Sequence, residues 1–340
     1  MTDSICMQPI TSPKAWRGED LARDTQWIVS LSPAEIADLD HALAVAKASG
    51  RPLAEIERRH FPLDVTQRRL EQVFDEIYAG RGFVVVRGLP VERYRDDDVG
   101  LIFWGLGRYL GSPLAQNPQG DLLGHVFDHG RTYGQIDVRG YETNAYLPYH
   151  TDGCDLVGLL CLRRGLAGGL SSIVSSVTVH NEILAHHPEY LGLLYNGFYY
   201  IRREEALTNG GVSERPIPVF GCSEGVVSCR YIRNQINAGA VKRGIPLTTI
   251  ERAALDHLDE VTRRADLRLD MDLEPGDMQL CNNYTTLHSR TEFVDGPEPH
   301  QKRHMVRLWL KFPKPWPIAA EFPEHAGYRS AAEAKTLVEA

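Results

Sequence analysis

The chain has 340 residues, 43% hydrophobic and 24% charged, with a formal net charge of −8. That size supports one ample core with decorations, and the acidic balance argues against a nucleic-acid or anionic-membrane partner. Six cysteines, at positions 6, 154, 161, 222, 229 and 281, include no CxxC pair, which removes zinc-ribbon, redox-motif and dense-disulfide readings and favours reduced thiols.

In chain order, the first hundred residues read as helical with one inserted strand. Ser32-Pro33-Ala34-Glu35 is a capping box with proline at the first helical position, and it predicts a helix to about Ser49. A second helix is expected over Val65–Tyr78. Gly82–Gly88, apolar, β-branched and bounded by glycines, reads as a buried strand, and Asp96–Leu110 as a helix closed by Gly111. From about Leu122 to Pro313 short strands dominate. They are Leu122–Phe127, Val157–Leu162, Ser171–Ser176, Phe198–Arg202, a hairpin of Pro218–Phe220 with Val226–Tyr231, Leu267–Met271, Asp277–Leu280 and Met305–Lys311. Helices over Val177–His186, Glu189–Tyr195 and Thr249–Arg264 interrupt them, the last with its own capping box from Thr248 to Glu251. Many short strands with turn signals between them predict a sandwich or jelly roll rather than a βαβ sheet. The fold class is therefore α+β, with flanking helices on a jelly-roll core. Residues 1–80 are expected to form a helical N-terminal extension packed on the core, 81–315 the core itself, and 316–340 a tail of loop and short terminal helix. Residues 1–14 lack a signal-peptide pattern, and no apolar run approaches the roughly 20 residues of a membrane span, so the expected location is cytoplasmic.

The most telling stretch is Leu147-Pro148-Tyr149-His150-Thr151-Asp152-Gly153, read together with Leu287-His288-Ser289-Arg290. His150 and Asp152 stand at i and i+2, on one face of an extended segment. With a distant histidine the set becomes two imidazoles and one carboxylate, the facial triad of non-haem Fe(II) oxygenases. By itself His-x-Asp has ordinary alternatives, a satisfied core histidine and a carboxylate capping the Gly153 turn. Three further features favour chemistry. A Pro275-Gly276 turn delivers an amphipathic strand that leads through Cys281-Asn282-Asn283-Tyr284 to His288. Gly168-Gly169-Leu170-Ser171-Ser172 opens a strand with a hydroxyl at a barrel position. Finally, the apolar strand Arg303-His304-Met305-Val306-Arg307 carries two arginines four apart on one face. A buried arginine needs an anionic partner, and an anionic co-substrate would supply one.

These residues resemble the taurine-dioxygenase-like (TauD/TfdA) Fe(II)/2-oxoglutarate-dependent oxygenases over roughly Gly82 to Pro313. The resemblance implies a double-stranded β-helix of the cupin-like jelly-roll type, with Fe(II) bound by His150, Asp152 and His288, and 2-oxoglutarate and O2 as co-substrates. It also implies that Arg303 pairs with the distal carboxylate of 2-oxoglutarate, and that Ser171 lies where the family places a hydroxyl on the co-substrate. Two intervals depart from the family's pattern. The loop around Gly296-Pro297-Glu298-Pro299-His300 lengthens the step from His288 to Arg303, leaving Arg307 as an alternative anchor or as a second anion site. The step from Asp152 to Ser171 is short, leaving Ser172 open.

The activity implied is hydroxylation of an unactivated C–H bond of a small organic molecule, with release of succinate and CO2. Desaturation, epoxidation or oxidative cleavage would use the same site. Halogenation is disfavoured because Asp152 is present. A non-catalytic metal-binding jelly roll is the reading from another class, and Arg303 speaks against it. No His-Glu-x-x-His supports a zinc hydrolase. Asn282, Asn283 and Arg290 are candidates for holding the ligands in place. The resemblance places the substrate pocket among the segment before His150, the insert around Glu204 to Arg215 and the residues beside Arg307. Gln116, Asn117, Asn144 and Tyr146, together with Arg307, are the candidate substrate residues, and the Thr208-Asn209-Gly210-Gly211 tract is a candidate lid or an ordinary surface loop. Homo-oligomerisation stays open.

Overall fold

Strand Met305–Lys311 alternates strictly, and the alternation sorts its side chains between two environments. Val306, Leu308 and Leu310 pack against helices, whereas Met305, Arg307 and Trp309 face the barrel interior. The computed structural model describes residues 5–132, 138–202, 211–323 and 327–328. Among these, the N-terminal part comprises α1 (Gly18–Leu21), β1 (Ile28–Ser30), α2 (Pro33–Ala48), α3 (Val65–Tyr78), β2 (Phe83–Arg87) and α4 (Asp96–Leu110). The middle adds β3 (Ser112–Pro113), β4 (Leu123–Val126), β5 (Leu147–His150), β6 (Leu156–Arg163), β7 (Ala167–Gly168) and β8 (Ser171–Ser175). After α5 (Ser176–His186) and α6 (Leu191–Asn196) come the hairpin β9 (Phe220–Ser223) and β10 (Val226–Cys229), then α7 (Arg233–Arg243) and α8 (Thr249–Arg263). The chain closes with β11 (Arg268–Met271), β12 (Met278–Asn282), β13 (Thr286–Arg290), β14 (Phe293–Val294) and β15 (His304–Lys311).

Two sheets face each other. The larger has the order β1-β2-β12-β6-β15-β3, with β4 also paired to β15, and the smaller has the order β11-β8-β13-β5. Between them lies an apolar layer including Phe83, Val85, Val157, Ile173, Leu269, Met305 and Trp309. Helices α2, α3 and α4 cover the outer face of the larger sheet, and α5 and α8 cover the smaller. This is the jelly roll expected, with the flanking helices.

The capping boxes form as read. The Ser32 amide donates to Glu35 Oε2 at 2.8 Å, and the Thr248 amide donates to Glu251 Oε2 at 2.7 Å. Three points differ from the sequence reading, and a fourth lies partly outside the described residues. The N-terminal hundred residues hold two strands, because Ile28–Ser30 pairs in parallel with Val85–Arg87. Phe198–Arg202 is not a strand. Among the described residues it makes only single bridges, Phe198 to Ile217 and Ile201 to Val212, and its Ile201 amide is taken by the Gln235 carbonyl. Helix α7 was not anticipated; few apolar residues mark it, and Gly244 ends it in the left-handed conformation at φ 67°. The tail from Phe312 to Pro323 is irregular, and residues 329–340, where a terminal helix is expected, lie outside the described residues.

Candidate active site

His150 is the last residue of β5, and the antiparallel register sets it opposite His288 of β13. A β-bulge follows at His288–Arg290, a feature common beside active sites because it re-aims side chains. Asp152 sits two residues beyond β5 on a loop held from two sides. The Thr151 amide donates to the Tyr231 carbonyl at 2.9 Å, and the Asp152 amide donates to Asn283 Oδ1 at 3.0 Å. Asn283 Nδ2 in turn donates to the Asp152 and Cys154 carbonyls. One ligand atom each from His150, Asp152 and His288 lies within 4.8 Å of the others. His150 Nε2 is 3.9 Å from Asp152 Oδ1, and His288 Nε2 is 3.7 Å from Asp152 Oδ2.

The protonation states suit a metal. His150 Nδ1 donates to the Pro148 carbonyl at 2.8 Å, which leaves the Nε2 lone pair for a ligand bond. Burial lowers the pKa of His150, and burial with the neighbouring His150 pushes His288 to about 3, so both imidazoles are neutral near neutral pH. Burial works against an ionised Asp152, but the Arg307 guanidinium, the two histidines and the Trp309 N–H hold its carboxyl below the ordinary value. Trp309 Nε1 donates to Asp152 Oδ2 at 3.0 Å. Two neutral imidazoles and one carboxylate on one side of a cavity are a donor set suited to Fe(II) with open positions opposite.

Two cavities meet at these residues. The inner one, inside the barrel, is lined by Ser171, Arg290, Arg303 and Arg307 together with the three ligand candidates. The outer one, at the barrel mouth, is lined by His150, Asp152, Tyr141, Arg307, Trp309 and Tyr328. Arg303 is buried, and its Nη1 has no hydrogen-bond partner among the described residues. Its guanidinium lies over the Phe293 ring. Burial depresses its pKa, and the opposing pull of Cys161 and Asp295 does not offset it. Arg307 differs. Its Nε donates to Gln116 Oε1 at 2.8 Å, and its Nη1 stands 3.6 Å from Asp152 Oδ2. Ser171 points inward and donates to Gln279 Oε1 at 2.8 Å, while Ser172 points outward to Tyr149 and Asp270.

The other sequence candidates fall in several places. Gln116 is buried, and its Nε2 donates to the Arg307 carbonyl, so it touches the site through Arg307. Asn117 ties a surface turn to Asp121. Asn144 is exposed and accepts the Phe293 amide through its carbonyl; Tyr146 is exposed, and neither lines the two cavities. Asn282 donates to the Ile77 carbonyl, away from the ligand set, whereas Asn283 and Arg290 adjoin it. Residues 204–210 of the insert, including Thr208, Asn209 and Gly210, lie outside the described residues. Tyr141, Trp309 and Tyr328 were missed. Trp309 was legible, since it shares its strand face with Arg303 and Arg307; nothing local marks Tyr328.

Among known proteins, residues 49–309 match the family model described as taurine catabolism dioxygenase TauD, TfdA family. FR-33289 synthase of Streptomyces rubellomurinus is 31% identical over 312 residues, covering 90% of this chain and 91% of that protein. Taurine hydroxylase-like protein SAT17 of Stachybotrys chartarum is 28% identical over 308 residues, covering 86% and 77%. In fold, asparagine oxygenase in complex with Fe(II), 2S,3S-3-hydroxyasparagine and succinate superposes with a TM-score of 0.65 at 19% identity, over 84% of this chain and 94% of that one. The non-haem iron oxygenase OrfP with Fe, succinate and (3S)-hydroxy-L-Arg gives 0.62 at 18%, over 84% and 94%. The chain therefore belongs to the TauD/TfdA family and is an Fe(II)- and 2-oxoglutarate-dependent dioxygenase.

Proposed function

We propose that the enzyme hydroxylates an unactivated C–H bond of a small organic molecule, with His150, Asp152 and His288 holding Fe(II) and Arg303 and Ser171 holding the far end of 2-oxoglutarate. One observation carries this reading: a three-ligand set closes a cavity lined by a buried guanidinium, one nitrogen of which has no hydrogen-bond partner among the described residues. When bound, the metal and co-substrate supply O2 activation, one oxygen atom going to the substrate and the other to succinate, with loss of CO2. The chain's own contribution is placement. Arg303 offers a planar, charge-assisted fork for a carboxylate, and Ser171 a hydroxyl beside it. Asn283 and Trp309 fix the Asp152 backbone and carboxylate. Val126, Leu159 and Met305 line the inner cavity with apolar surface and exclude water.

Arg139 and Arg307 both line the outer cavity, which supports an anionic group on the substrate. Asparagine oxygenase and OrfP are held with hydroxylated amino acids, so amino acids and other small carboxylates are the first class to test. Six free cysteines and the acidic net charge support a cytoplasmic enzyme without a nucleic-acid partner. Packing of α2 and α3 on α4 and the larger sheet supports residues 1–80 as an extension of an 81–315 core.

The test is anaerobic titration with Fe(II) and 2-oxoglutarate, following the weak visible charge-transfer band of the chelate. The band should vanish in His150→Ala and Asp152→Ala, and should require far more 2-oxoglutarate in Arg303→Ala. Wild-type protein that binds metal tightly yet gives no band would remove the assignment.

A further inference from the structure

Past β15 the chain packs beside α3 on the helix-covered side of the larger sheet, pinned at successive points. The Phe312 amide donates to Asp155 Oδ2 at 2.9 Å, and Trp316 stacks on Tyr284 and donates to Ser228 Oγ. Gly327 and Tyr328 lie beside the site. The Gly327 amide donates to the Gly153 carbonyl at 2.9 Å, and the Tyr328 amide donates to the Ala115 carbonyl at 2.9 Å. Gly327 has φ +64°, and a β-carbon there would stand 2.7 Å from the Ala115 carbonyl oxygen, so the close approach needs glycine.

The Tyr328 ring lines the outer cavity together with His150 and Asp152. The ring stacks on Trp309 at 6.0 Å and 15°, and the Arg139 guanidinium covers it at 4.7 Å. Arg307 lies 4.8 Å from the Trp309 ring centroid, so Arg307, Trp309, Tyr328 and Arg139 form one stack in which two cations flank a pair of stacked aromatic rings. Its inner end touches the Asp152 carboxylate. Tyr328 does not line the inner cavity, and it lies beyond residue 309, where the family match ends.

Resting on the oxygenase reading above, we propose that Tyr328 is a substrate-specificity residue supplied by the C-terminal segment: its ring forms the outer wall against which an anionic substrate is held toward the triad. The co-substrate, held deeper, does not meet it. Such a ring contributes contact area at small conformational cost, and its loss is read in substrate affinity rather than in assembly of the chelate.

The experiment compares full-length wild type with Tyr328→Ala and Tyr328→Phe. Succinate release is measured with taurine, L-asparagine, L-arginine and short-chain carboxylates, alongside the anaerobic chelate titration. For the compound that wild type turns over best, Tyr328→Ala should raise KM about tenfold or more and release more succinate per product, while Tyr328→Phe stays near wild type. The 2-oxoglutarate dependence of the band should stay within about twofold in both variants, which also shows that they fold. An unchanged KM, or a parallel loss of co-substrate affinity, overturns the proposal. If no compound is turned over, binding of the same compounds to the anaerobic chelate, read as a shift of its band, should still be weakened about tenfold in Tyr328→Ala relative to Tyr328→Phe, and equal binding or no binding to wild type overturns it. Wild type giving neither band nor succinate would instead remove the oxygenase reading, and this proposal with it.

Discussion

Arg303 lies against the backbone of Gly169: a β-carbon built on that glycine would stand 2.8 Å from the arginine Nε and 2.9 Å from its Cδ. Gly169 has φ +73° and donates its amide to the Glu292 carbonyl at 2.9 Å. The Gly-Gly turn before β8 thus makes room for the arginine assigned to the co-substrate. Gly169→Ala should cost about 1 kcal/mol or more in stability through its backbone conformation. It should also push the guanidinium aside and weaken 2-oxoglutarate binding by roughly tenfold, since a misplaced charged fork loses one of its two hydrogen bonds. Chelate titration checks this; unchanged affinity would show that the arginine tolerates the shift.

Arg303 itself gives a prediction of opposite signs. A buried guanidinium with an unpartnered nitrogen is destabilising until its anion arrives. Arg303→Met should therefore leave metal-free, co-substrate-free protein as stable as wild type or more so, by thermal unfolding. In the same variant 2-oxoglutarate affinity should fall by roughly 30-fold or more, the effect of losing one partner of a buried charge pair. A variant that unfolds early without co-substrate would mean that Arg303 is already satisfied inside the protein.

The inner cavity was largely legible in the sequence because most of its residues sit on or beside strands, where alternation assigns a face. Arg303, Met305, Arg307 and Trp309 share one side of the last strand, and Ser171 rather than Ser172 follows from the same rule once the strand is in place. The outer cavity was not legible. Arg139 and Tyr328 come from irregular segments, and Gln235 from a helix with too few apolar residues to announce itself. Gln116 is a substrate candidate because the resemblance places the pocket in its segment. Only the three-dimensional contact shows its side chain spent on Arg307. Polar residues on loops carry no periodic signal, so their partners are set by the fold and not by spacing.

Asn283 is the residue through which the fold grips the Asp152 loop. It accepts the Asp152 amide and donates to two carbonyls of the same loop. Asn283→Ala should lower Fe(II) affinity by roughly 10- to 100-fold, the usual effect of losing support around a metal ligand. Asn283→Asp keeps an acceptor for the Asp152 amide but loses both donated bonds, so it should bind metal no better than the alanine variant. Anaerobic metal titration separates the outcomes; wild-type affinity in Asn283→Ala would mean that the Thr151–Tyr231 bonds hold the loop alone.

Acid sensitivity should arise in part far from the site, at His180 in α5. The residue is fully buried, its Nε2 lies 3.0 Å from the Tyr195 hydroxyl, and the Phe220 ring meets it edge-on. Burial pushes its pKa down to about 4 from an ordinary 6.5. Between those values the unfolded chain binds a proton that the folded chain refuses. Stability from this group is therefore complete above 6.5 and declines as pH falls toward 4, by up to about 1.4 kcal/mol per pH unit. The buried His288 adds a similar slope in metal-free protein, so wild type and variant must both be metal-free. Urea unfolding from about pH 7 to about pH 5 should then show His180→Gln less stable than wild type at the upper end, with the difference shrinking as pH falls. The amide preserves a hydrogen bond to Tyr195 but cannot titrate. A constant difference across the range would mean that His180 is solvated or already protonated in the folded protein, contrary to its burial.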